Sequence, residues 1–365
     1  MTRIRPTRRA SHRPSRPGIV PFALIALTAG GSPGALQAQS FDPGRPEIAQ
    51  FVAEISHRHG FDPGPLAATL ARAQSRPAIL EAISRPAERT LTWDEYRGKF
   101  LTERRISRGV AVQAERSAEL EQAAAATGVP REILLAIVGV ETLYGENTGK
   151  YRVADALATL AFDYPPRAPF FRGELEQFLL MTREEGLDPL APLGSYAGAM
   201  GIPQFMPTSF RKWAVDGDRD GVRDLWNDWA DVFASVGNYL KVHGWQPGAP
   251  VMVPADAAGA DLAGVEVGKI GLSETVGSLR KRGVKFETSL PDPTPATLVS
   301  LAVGFGSEYR VGFANFHAIT RYNRSHMYAS AVNDLAQAIG AAAAAAGALA
   351  PTGSPANSPA APASS

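Results

Sequence analysis

Apolar positions recur with helical spacing between residues 45 and 245. Ile48, Phe51, Val52 and Ile55 lie three or four positions apart and are followed by Gly60, as on one face of an α-helix that ends at a glycine. The same pattern predicts one long or broken helix over 93–126 and further helices over 130–144, 171–185 and 231–243. Pro130 suits the first position of its helix.

The character of the chain changes at residue 249. Short β-prone runs at 251–253, 265–270, 284–286, 298–303 and 309–313 are separated by Gly, Pro and Asp, as is typical of strands. Helical spacing returns at 316–319 and 325–339. The sequence therefore predicts a mainly α (α+β) protein, with a helical body and a small antiparallel β insertion before its last helices.

The N-terminal segment has the composition of an export signal. Six arginines precede residue 18, an apolar stretch covers 19–29, and small residues lead to Ala38. This order predicts a secretory signal peptide over 1–38, although a transit peptide is also rich in arginine. The sequence has no cysteine, so it offers neither a disulfide nor a lipid-accepting thiol. We therefore expect a soluble periplasmic protein without a transmembrane anchor.

Composition and charge predict a disordered tail and limit the classes of partner and cofactor. Residues 341–365 are rich in Ala, Pro and Ser and are predicted to be disordered. The net charge is +1, and no basic and aromatic pattern indicates a nucleic-acid partner. No glycine-rich phosphate loop is present, so we expect no organic cofactor.

Glu141 is the strongest single candidate for catalysis. On the predicted helix over 130–144 it follows Leu134, Ile137 and Val138 by seven, four and three positions, which places its carboxylate on the apolar face. Burial raises the pKa of a carboxyl group, and a carboxyl that stays protonated near neutral pH can act as a general acid. The alternative is a paired or solvent-reaching glutamate at a helix end.

A loop of small residues over 194–201 is a candidate ligand-binding segment. Its glycines allow a backbone to approach a ligand closely. Ser195 lies in this loop, and Gln204 and Phe205 follow Pro203. Polar side chains suit sugar hydroxyls and N-acetyl groups, and aromatic rings suit the apolar faces of pyranoses. The alternative is an ordinary tight loop capped by Ser195.

An acidic loop begins at Asp216 and matches the start of an EF-hand calcium loop. Positions 1, 3, 5, 6 and 7 of that motif correspond to Asp216, Asp218, Asp220, Gly221 and the Val222 carbonyl. Position 12 is Asn227 instead of glutamate, so Asp228 or Asp231 would have to close a longer loop. The pattern predicts one calcium ion. The alternative is an acidic turn in which Asp231 stabilises the start of the next helix.

Seven ordered stretches resemble the lytic murein transglycosylase B family, bacterial enzymes that cleave the glycan strands of peptidoglycan. They are IVGVETLYG around Glu141, the segments 152–171, 179–190 and 194–210, the Asp216 loop, and the segments 235–245 and 316–325. The resemblance spans about residues 45–335. It implies a lysozyme-like helical core with a helical flanking domain over 39–248, a small β domain over 249–314, and C-terminal helices over 315–340.

The resemblance also implies a residue-level site. Glu141 would be the only catalytic acid and base, and the product would end in 1,6-anhydro-N-acetylmuramic acid. Substrate contacts would come from Ser195, Gln204, Arg167, Tyr239, Tyr322 and Asn323. A structural calcium ion would be held by Asp216, Asp218, Asp220, Val222 and Asp231. Peptidoglycan strands would be the substrate, and cell-wall synthesis proteins are candidate partners.

This chain differs from the family in two respects, and two other functions are compatible with its residues. The family often has two basic residues where this chain has Pro166 and Arg167, and the first-described member is a lipoprotein. A muramidase would hydrolyse the same bond with a second carboxylate, for which Glu146 and Asp163 are the nearby candidates. A protein of another class would bind glycan without cleaving it and use calcium for stability.

Overall fold

The computed structural model describes residues 39–84 and 91–349. Most of these residues are helical, and the strands are antiparallel, so the predicted mainly α fold with a small antiparallel sheet is confirmed. The predicted signal peptide lies outside the described residues. Within those residues no single helix has the length and apolar composition of a membrane span; one pair of helices, Ser117–Thr127 with Arg131–Thr142, meets that test only together, with a bend of 112°.

The helices and strands follow one another along the chain. The helices of the first part are α1 Pro46–His59, α2 Pro63–Arg72, α3 Pro77–Ser84, α4 Trp93–Phe100, α5 Glu103–Glu115, α6 Ser117–Thr127, α7 Arg131–Thr142, α8 Val153–Phe162 and α9 Ala168–Glu184. The later helices are α10 Pro207–Trp213, α11 Trp229–Val242, α12 Val276–Lys281, α13 Ala314–Tyr322 and α14 His326–Leu349. The strands are β1 Gln39–Ser40, β2 Gln74–Ser75, β3 Tyr151–Arg152, β4 Leu193–Gly194, β5 Met252–Ala255, β6 Glu274–Thr275, β7 Pro295–Val303 and β8 Gly306–Gly312.

The small β domain is a four-stranded antiparallel sheet in the order β5-β8-β7-β6. Its central hairpin pairs Leu298 with Val311, and these side chains form a separate apolar core with Val276, Leu279 and Phe313. The other face of β7 carries Val299 and Leu301, which belong to the core of the helical body. The sheet is therefore fixed to that body on the side of α4.

Helix boundaries differ from the predictions where capping residues intervene. The predicted helix over 93–126 is three helices, because Thr102 caps α5 through its side chain and the backbone of Arg116 leaves helical geometry. α7 begins at Arg131 with Pro130 as its cap, so Pro130 is not the first helical residue. α9 starts before the predicted residue 171. The side chain of Asp228 caps α11, which therefore starts at Trp229.

Two strands and one tail boundary were predicted wrongly. Residues 265–270 form turns, in which Gly264 and Gly268 have positive φ angles, and Lys285 makes only an isolated bridge with Asp256. α14 continues to Leu349, so predicted disorder is wrong for 341–349. Alanine has the highest helix propensity of all residues, and an alanine-rich segment can prolong a helix without large apolar side chains. The tail beyond 349 lies outside the described residues.

Candidate active site

Glu141 lies in the last turn of α7, a helix that runs through the core. Residues 133–140 are all buried, which follows from their nearly continuous apolar sequence. The helix ends because Leu143 and Tyr144 both have positive φ angles. Gly139 is required there, since a Cβ at this position would lie 2.6 Å from the hydroxyl of Tyr144. The chain therefore turns sharply directly after Glu141 and leaves its carboxyl group at the helix end.

The carboxyl group of Glu141 is poised for proton transfer. Burial raises the pKa of Glu141 to about 7, although a hydrogen bond from Tyr328 acts in the opposite direction. The Tyr328 hydroxyl donates this bond to Glu141 Oε1 over 2.6 Å. A pKa close to the working pH lets one group both donate and accept a proton with useful efficiency.

Phenol groups surround the Glu141 carboxyl. Burial, and after it the negative charge of Glu141, raises the pKa of Tyr96, Tyr322 and Tyr328 and keeps these phenols protonated. Of the three, Tyr328 contacts the carboxyl directly through its hydrogen bond. Tyr96 belongs to α4, Tyr322 to α13 and Tyr328 to α14. Among the described residues the buried Tyr96 hydroxyl has no hydrogen-bond partner. Three separate segments thus supply hydroxyl groups around one carboxyl group.

The predicted loop over 194–201 and the residues that follow it up to Phe205 are joined to α7 by a hydrogen bond. The hydroxyl of Thr142, the residue after Glu141, donates to the Ile202 carbonyl over 2.8 Å. On the other side, the Tyr322 hydroxyl donates to the Pro203 carbonyl over 2.6 Å. Gln204 has a φ of 53°, so the backbone is strained at the point where the loop passes the catalytic helix.

Gln204 and Ser195 are both buried in this loop, but their free polar atoms differ. Gln204 Nε2 donates to the carbonyls of Gly201 and Thr148 over 2.8 and 3.0 Å, whereas its Oε1 is buried and without a partner in the described chain. Ser195 Oγ accepts from the backbone N–H groups of Ala197 and Ala199 over 3.3 and 3.0 Å. Ser195 therefore caps the tight loop, and its hydroxyl hydrogen can still be donated.

The predicted aromatic residues form one cluster beside this loop. Phe205 lies 5.6 Å from Tyr239 and 5.8 Å from Tyr322 between ring centroids, and the two tyrosines are 4.8 Å apart. The Tyr239 hydroxyl donates to the Arg321 carbonyl over 2.6 Å. Asn323 is buried at the end of α13. Because Tyr322 also lies near Glu141, the cluster and the carboxyl belong to one site.

Arg167 has a different setting from the other predicted substrate residues. It precedes α9, and its guanidinium lies 4.5 Å from the ring centroid of Phe170 and 5.1 Å from that of Phe171. Burial lowers the pKa of Arg167. These contacts are local to its own segment, so the role of Arg167 toward the substrate stays a prediction.

Both candidates for a second carboxylate have cationic partners of their own. Asp163 accepts from Arg45 Nη1 over 2.8 Å and from the Ser75 hydroxyl over 2.7 Å. Glu146 is paired with Arg104. In the described chain the pKa of Glu141 is raised by burial, with no contribution from a neighbouring carboxylate. The geometry therefore favours a site with a single acid.

Three carboxylates of the acidic loop converge. Oxygen atoms of Asp216, Asp218 and Asp231 lie within 4.8 Å of one another. Asp231 is buried at the start of α11 and accepts the backbone N–H groups of Gly217 and Asp224, each over 2.6 Å. It thereby ties both ends of the loop to the helix. Oxygen ligands from several carboxylates are what a calcium ion requires.

Asp220 is outside that group of carboxylates. Its Oδ1 accepts the backbone N–H of Val222 over 2.8 Å, and this turn directs the carboxylate along its own backbone. Gly221 has a φ of 95°, as expected for the glycine at the sharp bend of such a loop. Of the five predicted calcium ligands, three carboxylates are therefore brought together, while Asp220 and the Val222 carbonyl stay predictions.

Two residues of the site were missed by the sequence interpretation. Tyr96 lies on a stripe with Trp93 and Phe100, all of them buried, and such a stripe looks like ordinary core. Tyr328 is the only tyrosine in the alanine-rich segment of α14. A buried phenol usually has a hydrogen-bond partner, and this was the available signal for Tyr328, whereas the Tyr96 hydroxyl has none in the described chain.

Comparison with known proteins decides the family. The family model described as a transglycosylase SLT domain matches residues 44–337. The chain belongs to this transglycosylase family. It is 41% identical over 303 residues to the membrane-bound lytic murein transglycosylase B of Escherichia coli (strain K12), a match that covers 80% of this chain and 82% of the relative. The resemblance predicted from the sequence is thereby confirmed.

Solved structures of transglycosylases have the same fold. Soluble lytic transglycosylase SltB1 from Pseudomonas aeruginosa superposes with a TM-score of 0.77 at 47% identity, covering 81% of this chain and 99% of that one. The Escherichia coli lytic transglycosylase Slt35 in complex with calcium gives 0.76 at 40% identity, with 84% and 97% covered. SltB3 from Pseudomonas aeruginosa in complex with NAG-anhNAM-pentapeptide gives 0.71 at 30% identity, with 81% and 80% covered. The lysozyme-like core of this transglycosylase is confirmed.

Proposed function

We propose that this chain is a peptidoglycan lytic transglycosylase in which Glu141 alone serves first as general acid and then as general base. The observation that carries the proposal is a single buried carboxyl with a pKa of about 7, held by Tyr328 and not paired with a second carboxylate. The family to which the chain belongs cleaves murein by this class of reaction.

The reaction needs only one titrating side chain. Protonated Glu141 donates its proton to the oxygen of the glycosidic bond between N-acetylmuramic acid and N-acetylglucosamine, and the bond to C1 of the muramic acid breaks. The resulting carboxylate then takes the proton from the C6 hydroxyl of the same sugar, whose oxygen forms the new bond to C1. Glu141 is protonated again at the end of the cycle. The product is a 1,6-anhydro-muramic acid end, and no water is consumed.

The intramolecular nucleophile explains why one acid suffices. A tethered hydroxyl has an effective concentration far above that of an external reactant, so no second carboxylate is needed to activate it. The phenols of Tyr96, Tyr322 and Tyr328 stay protonated, and that of Tyr328 donates a hydrogen bond to the carboxylate during its ionised interval.

The remaining predicted residues are proposed to bind the glycan. The buried Gln204 Oε1 without a partner suits the N–H of an N-acetyl group, and the Ser195 hydroxyl suits a sugar oxygen. Tyr239, Tyr322 and Asn323 would line the groove, and Arg167 would contact substrate from the start of α9. A buried acceptor left without its partner is costly, so the site discriminates in favour of a ligand that supplies an N–H group at Gln204.

A structural calcium ion is proposed for the acidic loop. The group formed by Asp216, Asp218 and Asp231 fits a hard cation that takes oxygen ligands. Bound there, calcium would offset the repulsion among the carboxylates and hold the loop against α11. We also propose that residues 1–38 are removed as a signal peptide and that the mature protein acts in the periplasm. Cell-wall synthesis proteins are its proposed partners.

Two other functions fit the geometry less well. A hydrolase would need Asp163 or Glu146 to activate water, but each is engaged with an arginine. A glycan-binding protein without activity would have no use for a carboxyl whose pKa is raised to about 7 by burial, because burying an unused acid only destabilises the fold.

Mass spectrometry of muropeptides released from purified peptidoglycan tests the reaction. The wild type should yield 1,6-anhydro ends, and Glu141→Gln, which keeps size and polarity without a titratable proton, should release nothing measurable. Asp163→Asn and Glu146→Gln are the matched controls and should leave the anhydro product in place. Reducing muramic acid ends, together with an inactive Asp163→Asn, would show that the protein is a hydrolase.

A further inference from the structure

The wall of the Glu141 pocket formed by α4 is two rings thick. Tyr96, whose pKa is raised by burial and then by the charge of Glu141, stacks on Trp93 with ring centroids 6.3 Å apart and planes inclined by 21°. Trp93 is fully buried, and its Nε1 has no hydrogen-bond partner in the described chain. Hydrogen bonds therefore do not fix the orientation of the indole, and its position depends on what lies against its faces.

Arg310 of β8 supplies the contact on the Trp93 ring. Its guanidinium carbon lies 5.3 Å from the centroid of the ring. The same guanidinium makes a two-pronged ion pair with Asp334 of α14, over 2.5 and 2.9 Å. Its Nε donates to Glu308 over 2.6 Å. One planar group with a fixed set of donors thus joins the sheet to α14 and α4.

Both helices held by this group contribute to the Glu141 pocket. α4 carries Tyr96, and α14 carries Tyr328, the residue that donates a hydrogen bond to Glu141. We propose that Arg310 is a positioning residue of the transglycosylase reaction: it fixes the Trp93–Tyr96 stack against Asp334 and so keeps one wall of the Glu141 pocket closed. The small β domain is then part of the catalytic apparatus. This inference rests on the proposed role of Glu141.

The buried Arg310–Asp334 pair is better explained by a role in positioning α4 and α14 than by a contribution to the free energy of unfolding. Each side chain is only 10% exposed, and an ion pair removed from water to this extent often contributes no more than apolar residues of the same size would. A cavity of about 500 Å³ borders the pair and is lined in part by Arg97, Glu308, Arg310 and Asp334. Water can therefore occupy the space of a shortened side chain, so that a variant at Arg310 need not disrupt the core.

The same domain contains a matched control. Arg280 also forms an ion pair, with Asp292 over 2.8 Å, and also lies over an aromatic ring, that of Phe286 at 5.4 Å. Arg280 belongs to α12, and its side chain is 41% exposed. It shares the contacts of Arg310 but not the connection to α4 and α14.

The experiment measures kcat, KM and the pH profile for release of anhydro-muropeptides by Arg310→Gln, Arg310→Lys and Arg280→Gln. We expect Arg310→Gln to lower kcat by roughly 10- to 100-fold, because a small displacement of a pocket wall has effects of this size, with KM nearly unchanged. Water admitted beside Glu141 should also shift the alkaline limb of the profile to lower pH. Arg280→Gln should match the wild type in all three.

Charged and titratable groups from several elements lie around Glu141 and around Arg310. Tyr96, Tyr322 and Tyr328 face Glu141 from α4, α13 and α14. Asp334, Glu308 and Arg97 surround Arg310, with the Nε of Arg97 3.8 Å from Asp334. Arg310→Lys keeps the charge opposite Asp334 and loses the planar contact with Trp93, so it should lower kcat by a smaller factor and decides the question if Arg310→Gln does not fold.

Two results separate the failure of this inference from that of the proposed function. An unchanged kcat and pH profile in a folded Arg310 variant, whatever its melting temperature, would show that Arg310 is structural only. An active Glu141→Gln in the same assay would overturn the role of Glu141 itself.

Discussion

Glu141 and Asp231 of the helical body both have a raised pKa, but their surroundings differ. Burial raises the pKa of Glu141 to about 7, and the hydrogen bond from Tyr328 opposes this shift. The pKa of Asp231 is raised to about 6, again mainly by burial, but the charges of Asp228 and Asp216 add to the effect. The surroundings of Glu141 leave its proton free to move, whereas those of Asp231 concentrate negative charge that a cation can neutralise.

The comparison shows that a raised pKa does not define a role by itself. Glu141 stands at the end of a helix with one hydrogen bond from Tyr328, so its protonation state can change without loss of structure. Asp231 accepts two backbone N–H groups that hold the acidic loop, so its loss would free that loop. One site is organised for turnover and the other for stability. The predictions that follow test this division.

Asp231→Ala should have the largest effect, and on stability alone. It leaves one buried and one partly buried N–H group unpaired, at about 1–3 kcal/mol each, and removes calcium binding, worth roughly 2.7 kcal/mol at a hundredfold excess over Kd. We expect the free energy of unfolding to fall by roughly 5 kcal/mol in calcium buffer. Equilibrium denaturation checks this, with Asp256→Ala, which removes an exposed loop carboxylate, as control.

Chelation gives the complementary result for the acidic loop. The wild type should melt at a lower temperature in chelator, whereas Asp231→Ala should melt at the same temperature with and without it. Activity per folded molecule should stay close to the wild type at low temperature. A wild type that is indifferent to the chelator would remove calcium from the account of this loop.

Glu141→Gln should stabilise the protein at high pH. A carboxyl whose pKa is raised on folding binds more protons in the native state than in the unfolded state, so stability falls as pH rises between the two pKa values. For Glu141 this window runs from its ordinary value of 4.5 to about 7. Above it, Glu141→Gln should be more stable than the wild type by roughly 3 kcal/mol; below it, the difference should vanish.

Denaturation at a series of pH values measures this difference. Glu146→Gln is the control, because Glu146 is more exposed and paired with Arg104, and it should show no such gain at high pH. A constant difference between Glu141→Gln and the wild type across the whole range would mean that burial does not raise the pKa of Glu141.

Much of the site followed from sequence because it depends on local spacing. The position of Glu141 on an apolar helix face, the loop with Ser195 and Gln204, and the alternating acids at Asp216 and Asp218 are all short-range patterns. Helical and strand periodicity likewise gave the mainly α fold and the position of the sheet. Patterns of this kind are set by backbone geometry within a few residues.

Features that depend on tertiary contact could not be predicted in this way. Tyr328 reaches Glu141 only because α14 packs beside α7, and Tyr96 belongs to α4, which packs against α14. The bonds of Asp220 arise from a turn whose side-chain directions the spacing does not fix. The extension of α14 to Leu349 was missed because composition suggested disorder, while helix propensity favoured continuation.

Tyr328→Phe should have a smaller effect, on both rate and pH dependence. The lost hydrogen bond lowers the pKa of Glu141 in the wild type, so the variant should have a higher pKa and an alkaline limb shifted to higher pH. A bond to a charged group is worth about 1.5–3 kcal/mol, which corresponds to roughly one to two pH units. We expect kcat to fall about tenfold as the carboxyl loses its orientation.

Muropeptide release across pH 5–9 measures both quantities. Tyr309→Phe serves as the control, because it removes a tyrosine hydroxyl from strand β8 of the small β domain. A shift of the alkaline limb to lower pH in Tyr328→Phe would contradict the stated direction of the hydrogen bond's effect. It would also weaken the contrast between a site built for proton transfer and one built for a cation.

Asp220→Ala should have the smallest effect and defines the limits of the calcium site. Asp220 Oδ1 is engaged with the N–H of Val222, so its removal should cost only about 0.5–1.5 kcal/mol, the value of one hydrogen bond. The melting temperature of Asp220→Ala should still fall on chelation, whereas that of Asp218→Ala should not, because Asp218 belongs to the converging group. If Asp220→Ala also loses the response to chelator, the bound loop turns its carboxylate inward as in an EF-hand. The calcium site would then include Asp220 as a fourth carboxylate.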